Sequence, residues 1–150
     1  MNDLTQAASY FAPLVTQLLD ACAKAGVPCR IVDIARTPSQ QQVKLQTGVS
    51  WTNNSRHLPQ PPEGKSEAVD IVPLLILSEH KADWDPKNLA WQKIGQIGKS
   101  LTVPFTKPDK TIQQVPALEW GGDWKEHPDP SHFQYAGPKS FGPRPGVINV

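Results

Sequence analysis

Apolar residues recur at steps of three and four through the first stretch of the chain. Leu4, Ala8, Phe11, Val15, Leu18 and Cys22 fall on one stripe, the spacing of a helix with one buried face. The pattern predicts a helix over residues 4–25, capped by Asp3 with Gln6 three residues on, and ended by Gly26 and Pro28. CRIVDIA, with Ile31, Val32 and Ile34, reads as a strand. RTPSQQQVKLQTG opens a second helix, with Thr37 as N-cap, Pro38 in the first position, Gln40 as capping-box partner and Gly48 as the stop. VSWTNNSRH is polar around Trp51 and predicts a loop or short strand. LPQPPEGK holds too many prolines for a helix or central strand, and predicts a loop.

SEAVDIVPLLIL predicts a strand whose alternation sets Ala68, Asp70 and Val72 on one face and Val69 and Ile71 on the other. DPKNLAWQKIGQIGKSL predicts a third helix, capped by Asp85 with Pro86 first, on the apolar positions Leu89, Ile94, Ile97 and Leu101. Its two internal glycines weaken it or permit close packing. Residues 103–116 are turn-rich and give no clear element. LEWGGDW ends a short strand in a glycine turn. SHFQY reads as a strand with His132 and Gln134 facing one way and Phe133 and Tyr135 the other. From Gly137 the chain is rich in proline and glycine, so residues 137–150 are expected to be extended and weakly held. No internal repeat is visible. These elements predict a small α+β domain spanning residues 1–150, with helices packed against an antiparallel sheet.

Composition narrows the function. The net charge is +1 and no basic block of five or six occurs, which argues against a protein built around nucleic-acid phosphates. No apolar run approaches the ~18 residues of a membrane span. The N-terminal segment lacks the basic flank and cleavage site of a signal peptide, so the expected location is the cytoplasm until something releases the protein. Cys22 and Cys29 make neither a disulfide framework nor a zinc-finger spacing. They are expected to be reduced thiols.

The candidate chemistry lies in SRHLPQPPEGKSEAVD and in DPSH. A catalytic zinc takes three protein ligands, His or carboxylate, and leaves a fourth position for water. His57, Asp70 and His132 can supply three ligands, and Asp129 a base. Each residue also has a plainer reading: a hydrogen-bonded loop histidine, a strand-end carboxylate, an ordinary Asp-Pro turn, an exposed strand histidine. Arg36, at a strand-to-helix turn, points into a cleft or out to solvent. His127 is a weaker rival ligand, and His80 reads as a solvated residue. What favours the metal site is context. Asp70 sits in an apolar strand, His132 begins another, and Pro130 makes the Asp129–His132 link a turn.

NSRHL, AVDIVP, EWGGDW and DPSHF together resemble a family, the zinc peptidases that cut bacterial peptidoglycan stems. It comprises D-alanyl-D-alanine carboxypeptidases and L-alanyl-D-glutamate endopeptidases, many phage endolysins among them. The family pattern is Ser-x-His, Ala-x-Asp, then Asp or Glu-x-x-His, and the resemblance spans roughly residues 4–136. It implies one zinc per chain held by His57, Asp70 and His132, with Asp129 as general base. It implies that Arg36, in the Arg-Thr-Pro segment, contacts substrate and the developing oxyanion, and that Ser55 supports the site. It further implies a monomeric, phage-type endolysin that accumulates in the host cytoplasm and acts on the wall, without nucleic-acid partner or membrane insertion. A carboxypeptidase or dipeptidase on the same site, and a cell-wall-binding module without turnover, are the rivals.

The chain departs from the family in one place. His57 and Asp70 are thirteen positions apart, a longer gap than the family's, with Ser66 where a glycine is usual and Glu67 where histidine is common. The extra residues are expected to reshape the cleft without moving the ligands. Glu63 and Glu67 enter as competing metal ligands.

Overall fold

The computed structural model describes residues 3–52, 54–75 and 78–138. Its helices are α1 (Ala12–Lys24), α2 (Pro38–Gln46) and α3 (Ala90–Ser100). Its strands are β1 (Cys29–Asp33), β2 (Ala68–Leu75), β3 (Ser78–Ala82), β4 (Thr102–Thr106), β5 (Ile112–Pro116), β6 (Leu118–Trp120) and β7 (His132–Tyr135). The main sheet runs β1-β2-β7-β6, with β3 paired to the far end of β2, and every pairing is antiparallel. β4 and β5 form a separate hairpin.

The N-terminal stripe buries as expected, but only part of it is α-helix. Leu4–Gln6 is a single 3-10 turn capped by Asp3, and α1 begins at Ala12. Pro13 sets that start. Inside a longer helix it would lack its N–H and clash with the carbonyl four residues back, whereas in the first turn it costs nothing. Ala8, Phe11, Val15, Leu18 and Cys22 nonetheless all enter one core.

α2 matches its sequence signals closely. Thr37 Oγ1 accepts from the Gln40 N–H and the Gln40 side chain accepts from the Thr37 N–H, a complete capping box. Gly48 follows with φ +75°, the left-handed conformation glycine takes beyond a helix end.

α3 starts later than predicted. The Asp85 carboxylate accepts from the Lys87 N–H in a turn, and it is Asn88 whose side chain accepts from the Ala90 N–H. Leu89 therefore stays exposed and Trp91 takes its place on the buried face. The two glycines prove to be packing devices. A Cβ at Gly95 would lie 2.5 Å from the Trp120 ring, and one at Gly98 would overlap Phe133. Helix and sheet thus approach more closely than side chains would allow.

α1 and α3 cover one face of the sheet. Val69 and Ile71 of β2, Phe133 and Tyr135 of β7, and Leu118 and Trp120 of β6 meet Leu14, Val15, Leu18 and Ile94 there. Alternation then turns Asp70, His132 and Gln134 to the opposite face. No α2 residue joins this core; α2 borders that opposite face instead. Residues 139–150 of the expected tail lie outside the described residues.

Candidate metal centre and cleft

In the β2–β7 ladder Asp70 stands directly opposite His132. Directly opposed residues share a face, with Cβ atoms about 5 Å apart, so the register alone brings these two side chains together. His57 arrives from the loop before β2. Its backbone carbonyl accepts from the Arg36 N–H at 2.9 Å, and its own N–H donates to Ser55 Oγ at 3.2 Å. Ser55 is thus buried behind the site, shaping the turn that presents His57.

The rings are fixed by their outer nitrogens. His57 Nδ1 donates to the Ile34 carbonyl at 2.6 Å, which leaves Nε2 3.2 Å from Asp70 Oδ1. His132 Nε2 donates to Gln134 Oε1 at 2.9 Å, which leaves Nδ1 3.4 Å from the same Asp70 oxygen. The three inner atoms lie within 4.8 Å of one another. When both rings are neutral these are three acceptors facing each other, an arrangement that demands a proton or a cation between them. Outer N–H bonds that set tautomer and orientation are also what histidine ligands require. The residues present therefore fit a metal ion.

The electrostatics point the same way. Burial alone would raise the Asp70 carboxyl, but the charges and hydrogen bonds of His57 and His132 reverse this and hold it well below the usual carboxylate range. Burial alone would lower His132, and the hydrogen bond and charge of Asp70, with Gln134 and the Asp129 charge, raise it instead.

Asp129 lies in the turn that delivers His132. Its carbonyl accepts from the His132 N–H at 3.1 Å, its N–H donates to the Gly121 carbonyl at 2.8 Å, and its carboxylate accepts from Ser131 Oγ at 2.9 Å. Arg36 is half-buried beside Asp70. Its Nε donates to Asp33 Oδ2 at 2.8 Å, and its terminal nitrogens to Gln41 Oε1 at 3.0 Å and Asp70 Oδ2 at 3.4 Å. A register shift in β1 between Ile31 and Asp33 sets Asp33 against Asp70, the re-aiming a β-bulge provides.

The competing ligands lie elsewhere. Glu67 is fully buried on the core side, where Tyr10 Oη donates to it. Glu63 accepts from the Ser9 N–H and hydroxyl, at 2.9 and 2.6 Å. His127 stacks on Trp51. Sequence reasoning missed the residues that hold the site. The signal for Gln134 was present in its alternation with His132; Asp33 and Gln41 carry none. Cys22 is buried and Cys29 half-buried, both as free thiols.

The centre opens into a cleft with two lobes that share Arg36, Trp51, His127 and Asp129. One, of about 1070 Å³, runs between α2 and residues 126–131. The other, of about 750 Å³, contains His57, His132, Trp124 and Arg56. The loop at 58–65 adds no ligand but walls a smaller pocket of about 370 Å³ beside His57 and Arg36.

Asp70 and His132 on the sheet face and His57 on the loop beside them, with a further carboxylate and an arginine at the rim of an open cleft, have the make-up of a metal-dependent hydrolase site. A family profile described as D-alanyl-D-alanine carboxypeptidase matches residues 50–135, more than half of the chain, and the chain belongs to that family of metallopeptidases acting on peptidoglycan. The fold is similar to the crystal structure of the Serratia marcescens L-Ala D-Glu endopeptidase ChiX, with a TM-score of 0.55 and 22% identity over 88% of this chain and 82% of that one. No curated protein matches the sequence significantly.

Proposed function

We propose that the chain is a zinc endopeptidase that hydrolyses the L-alanyl–D-glutamate bond of peptidoglycan stems, and that it serves as a phage-type endolysin. The observation that carries this reading is the converging set His57 Nε2, Asp70 Oδ1 and His132 Nδ1 at the meeting point of two cleft lobes. An endopeptidase must accommodate chain on both sides of the scissile bond. A carboxypeptidase needs room on one side and closure around a terminal carboxylate on the other.

In this reading His57, Asp70 and His132 hold one zinc, which when bound lowers the pKa of a water and polarises the scissile carbonyl. Asp129 takes a proton from the attacking water and returns it to the leaving amine. Arg36, oriented by Asp33 and Gln41, donates to the carbonyl oxygen as negative charge develops there. Ser55 keeps His57 in place from behind. A binding module would have no use for Asp129 beside the centre, which favours turnover over mere attachment. The enzyme would act as a monomer, stored in the host cytoplasm and released onto the wall.

Digestion of purified peptidoglycan, with mass spectrometry of the released fragments, tests this. Free amino groups on D-glutamate support the reading. Release of terminal D-alanine alone would make the chain a carboxypeptidase, and zinc-loaded protein that releases nothing would favour the binding module.

A further inference from the structure

The residues assigned to chemistry occupy the floor where the lobes meet, and the walls of the larger lobe have no part in it. Two tryptophans stand in those walls, Trp84 in the larger lobe alone and Trp51 at the border it shares with the smaller one. Trp51 stacks on His127 with ring centroids 4.9 Å apart and planes 11° from parallel, and meets Trp124 edge-on at 6.1 Å. It is still 55% exposed. Trp84 rests on Trp91 at 6.0 Å, and the Trp91 indole N–H is anchored on the Asp85 carbonyl. Trp84 is 60% exposed. Single exposed apolar residues are ordinary. Two braced indoles turned into one cleft are a platform for a flat, weakly polar face, and Gln40, Lys44 and Ser50 beside them offer partners for hydroxyl and amide groups.

Charge separates the two lobes. In the larger one Arg36 and Lys44 face the carboxylates Asp33, Asp70, Glu126 and Asp129, an unfavourable setting for an anionic ligand. The smaller lobe shares Arg36, Glu126 and Asp129 with it but lacks Asp33 and Asp70, and it adds Arg56 and Lys125 against Glu119, so its charges balance where those of the larger lobe are net negative. A peptidoglycan stem has the matching polarity. The carboxylates of D-glutamate and of the residues after it lie on one side of the L-alanyl–D-glutamate bond. On the other side a single alanine separates that bond from the lactyl group of the muramyl sugar. One residue spans about 3.3–3.6 Å, so the pyranose must lie just beyond the alanine, against the wall of whichever lobe receives it.

We propose that the larger lobe is a saccharide arm, in which Trp51 and Trp84 receive the muramyl pyranose, and that the enzyme therefore prefers stems still attached to glycan over free peptides. This rests on the L-alanyl–D-glutamate reading. The anionic part of the stem then occupies the smaller lobe.

The test compares two substrates, a muramyl peptide and the same peptide with its alanine simply N-acetylated. Cleavage is followed by mass spectrometry, and binding to the metal-free protein by calorimetry. The parent is expected to favour the muramyl peptide by about tenfold or more, in kcat/KM and in Kd alike, the scale of aromatic contacts with one ring. Trp51→Ala and Trp84→Ala should each pull both ratios towards one, while Trp51→Phe, which keeps an aromatic face, should retain more of the preference. Circular dichroism checks that each variant is folded, and Trp84→Ala carries the test should Trp51→Ala fail that check. A parent that cuts and binds both substrates equally overturns the saccharide arm and leaves the bond assignment standing. Ratios that survive both alanine variants overturn it as well. Failure to cut either substrate, with intact peptidoglycan cut at another bond, refutes the bond assignment and this proposal with it.

Discussion

Gly121→Ala should damage catalysis without touching a catalytic residue. A Cβ at Gly121 would overlap the Asp129 carbonyl oxygen, and would stand 3.0 Å from His132 Cβ and 3.2 Å from Asp129 Cβ. Ordinary contact begins at 3.4 Å. The oxygen is backbone and cannot rotate aside, and the Asp129 N–H already donates to Gly121, so the turn has to move as a unit by about 1 Å. A displacement of that size costs on the order of 10²-fold in rate. Overpacking costs ~1–3 kcal/mol of stability, a few degrees in Tm for each kcal/mol at this chain length.

The assay is peptidoglycan cleavage by Gly121→Ala, by Asp129→Asn and by the double variant, with metal content and Tm measured in parallel. If Gly121 acts by placing Asp129, the two losses overlap, and Gly121→Ala costs little once the base is gone. Additive losses would show that the glycine works through something else, with His132 the first suspect. Activity of Gly121→Ala within threefold of the parent would refute the argument outright.

Asp129→Asn alone should keep metal and Tm and lose about 10²–10⁴-fold in cleavage, the worth of a positioned base; loss of metal would make Asp129 a ligand. Arg36→Ala should lose at least ~10²-fold in kcat/KM with metal retained, and near-parent activity would reduce Arg36 to a partner of Asp33 and Asp70. Zinc uptake near neutral pH should release protons. His132 is raised in the folded, metal-free protein, so its protonated form contributes stability below its unfolded value of ~6.5, and that contribution is lost as pH rises through the raised value. A ligand histidine must be neutral, so zinc displaces this proton and binds more tightly as pH rises. Asp70, held low, is already ionised there and releases none. Calorimetry in buffers of different ionisation enthalpy reads the proton count, and a count of zero at pH 6.5 contradicts the expectation.

Much of this molecule is legible in its sequence because period-two alternation and register do most of the assembly. Once Asp70 and His132 are placed on strands, antiparallel pairing sets them on one face. The same parity excludes Glu67. Three positions from Asp70, it must face the other side, and there it meets Tyr10. Other features gave no such signal. The apolar stripe through residues 4–25 is real, yet it does not report where α-helix begins, since 3-10 turn and loop bury Ala8 and Phe11 just as well as a helix would. Asp85-Pro86 has the composition of a helix start and forms a turn because Asp83 also accepts from the Asp85 N–H. The hairpin β4–β5 escaped because it is mostly exposed; Val115 is the one buried position of β5, too little alternation to read. Gln41 is a polar residue in a polar helix. Only the folded chain shows it buried, tied to Ser50, Thr52 and Arg36.

The long gap between His57 and Asp70 poses the remaining physical question, which is how a loop of altered length leaves two ligands in register. The answer lies in one oxygen. The Ile34 carbonyl accepts from His57 Nδ1 at 2.6 Å and from Ser66 Oγ at 2.7 Å, so both ends of the 58–65 loop are pinned to the same point beyond β1. Backbone bonds reinforce the pin on either side, from Arg36 to His57 and from Glu67 to Arg56. With its ends held, the loop between can change length at small entropic cost. Most of its own ties run to the periphery, where Glu63 holds Ser9 and Gln60 accepts from Arg56, with one inward bond from Gln60 Nε2 to the Ser55 carbonyl at 3.3 Å. Replacing residues 58–65 with a two-residue link should therefore leave zinc stoichiometry unchanged. It should alter KM or bond preference, because Pro59, Gly64 and Lys65 wall the pocket beside His57 and Arg36. Elemental analysis and steady-state kinetics on peptidoglycan fragments read the two effects separately. Zinc lost on shortening would mean that the Ile34 anchor alone cannot hold His57, and that the loop's ties to Ser55, Ser9 and Arg56 are part of what builds the centre.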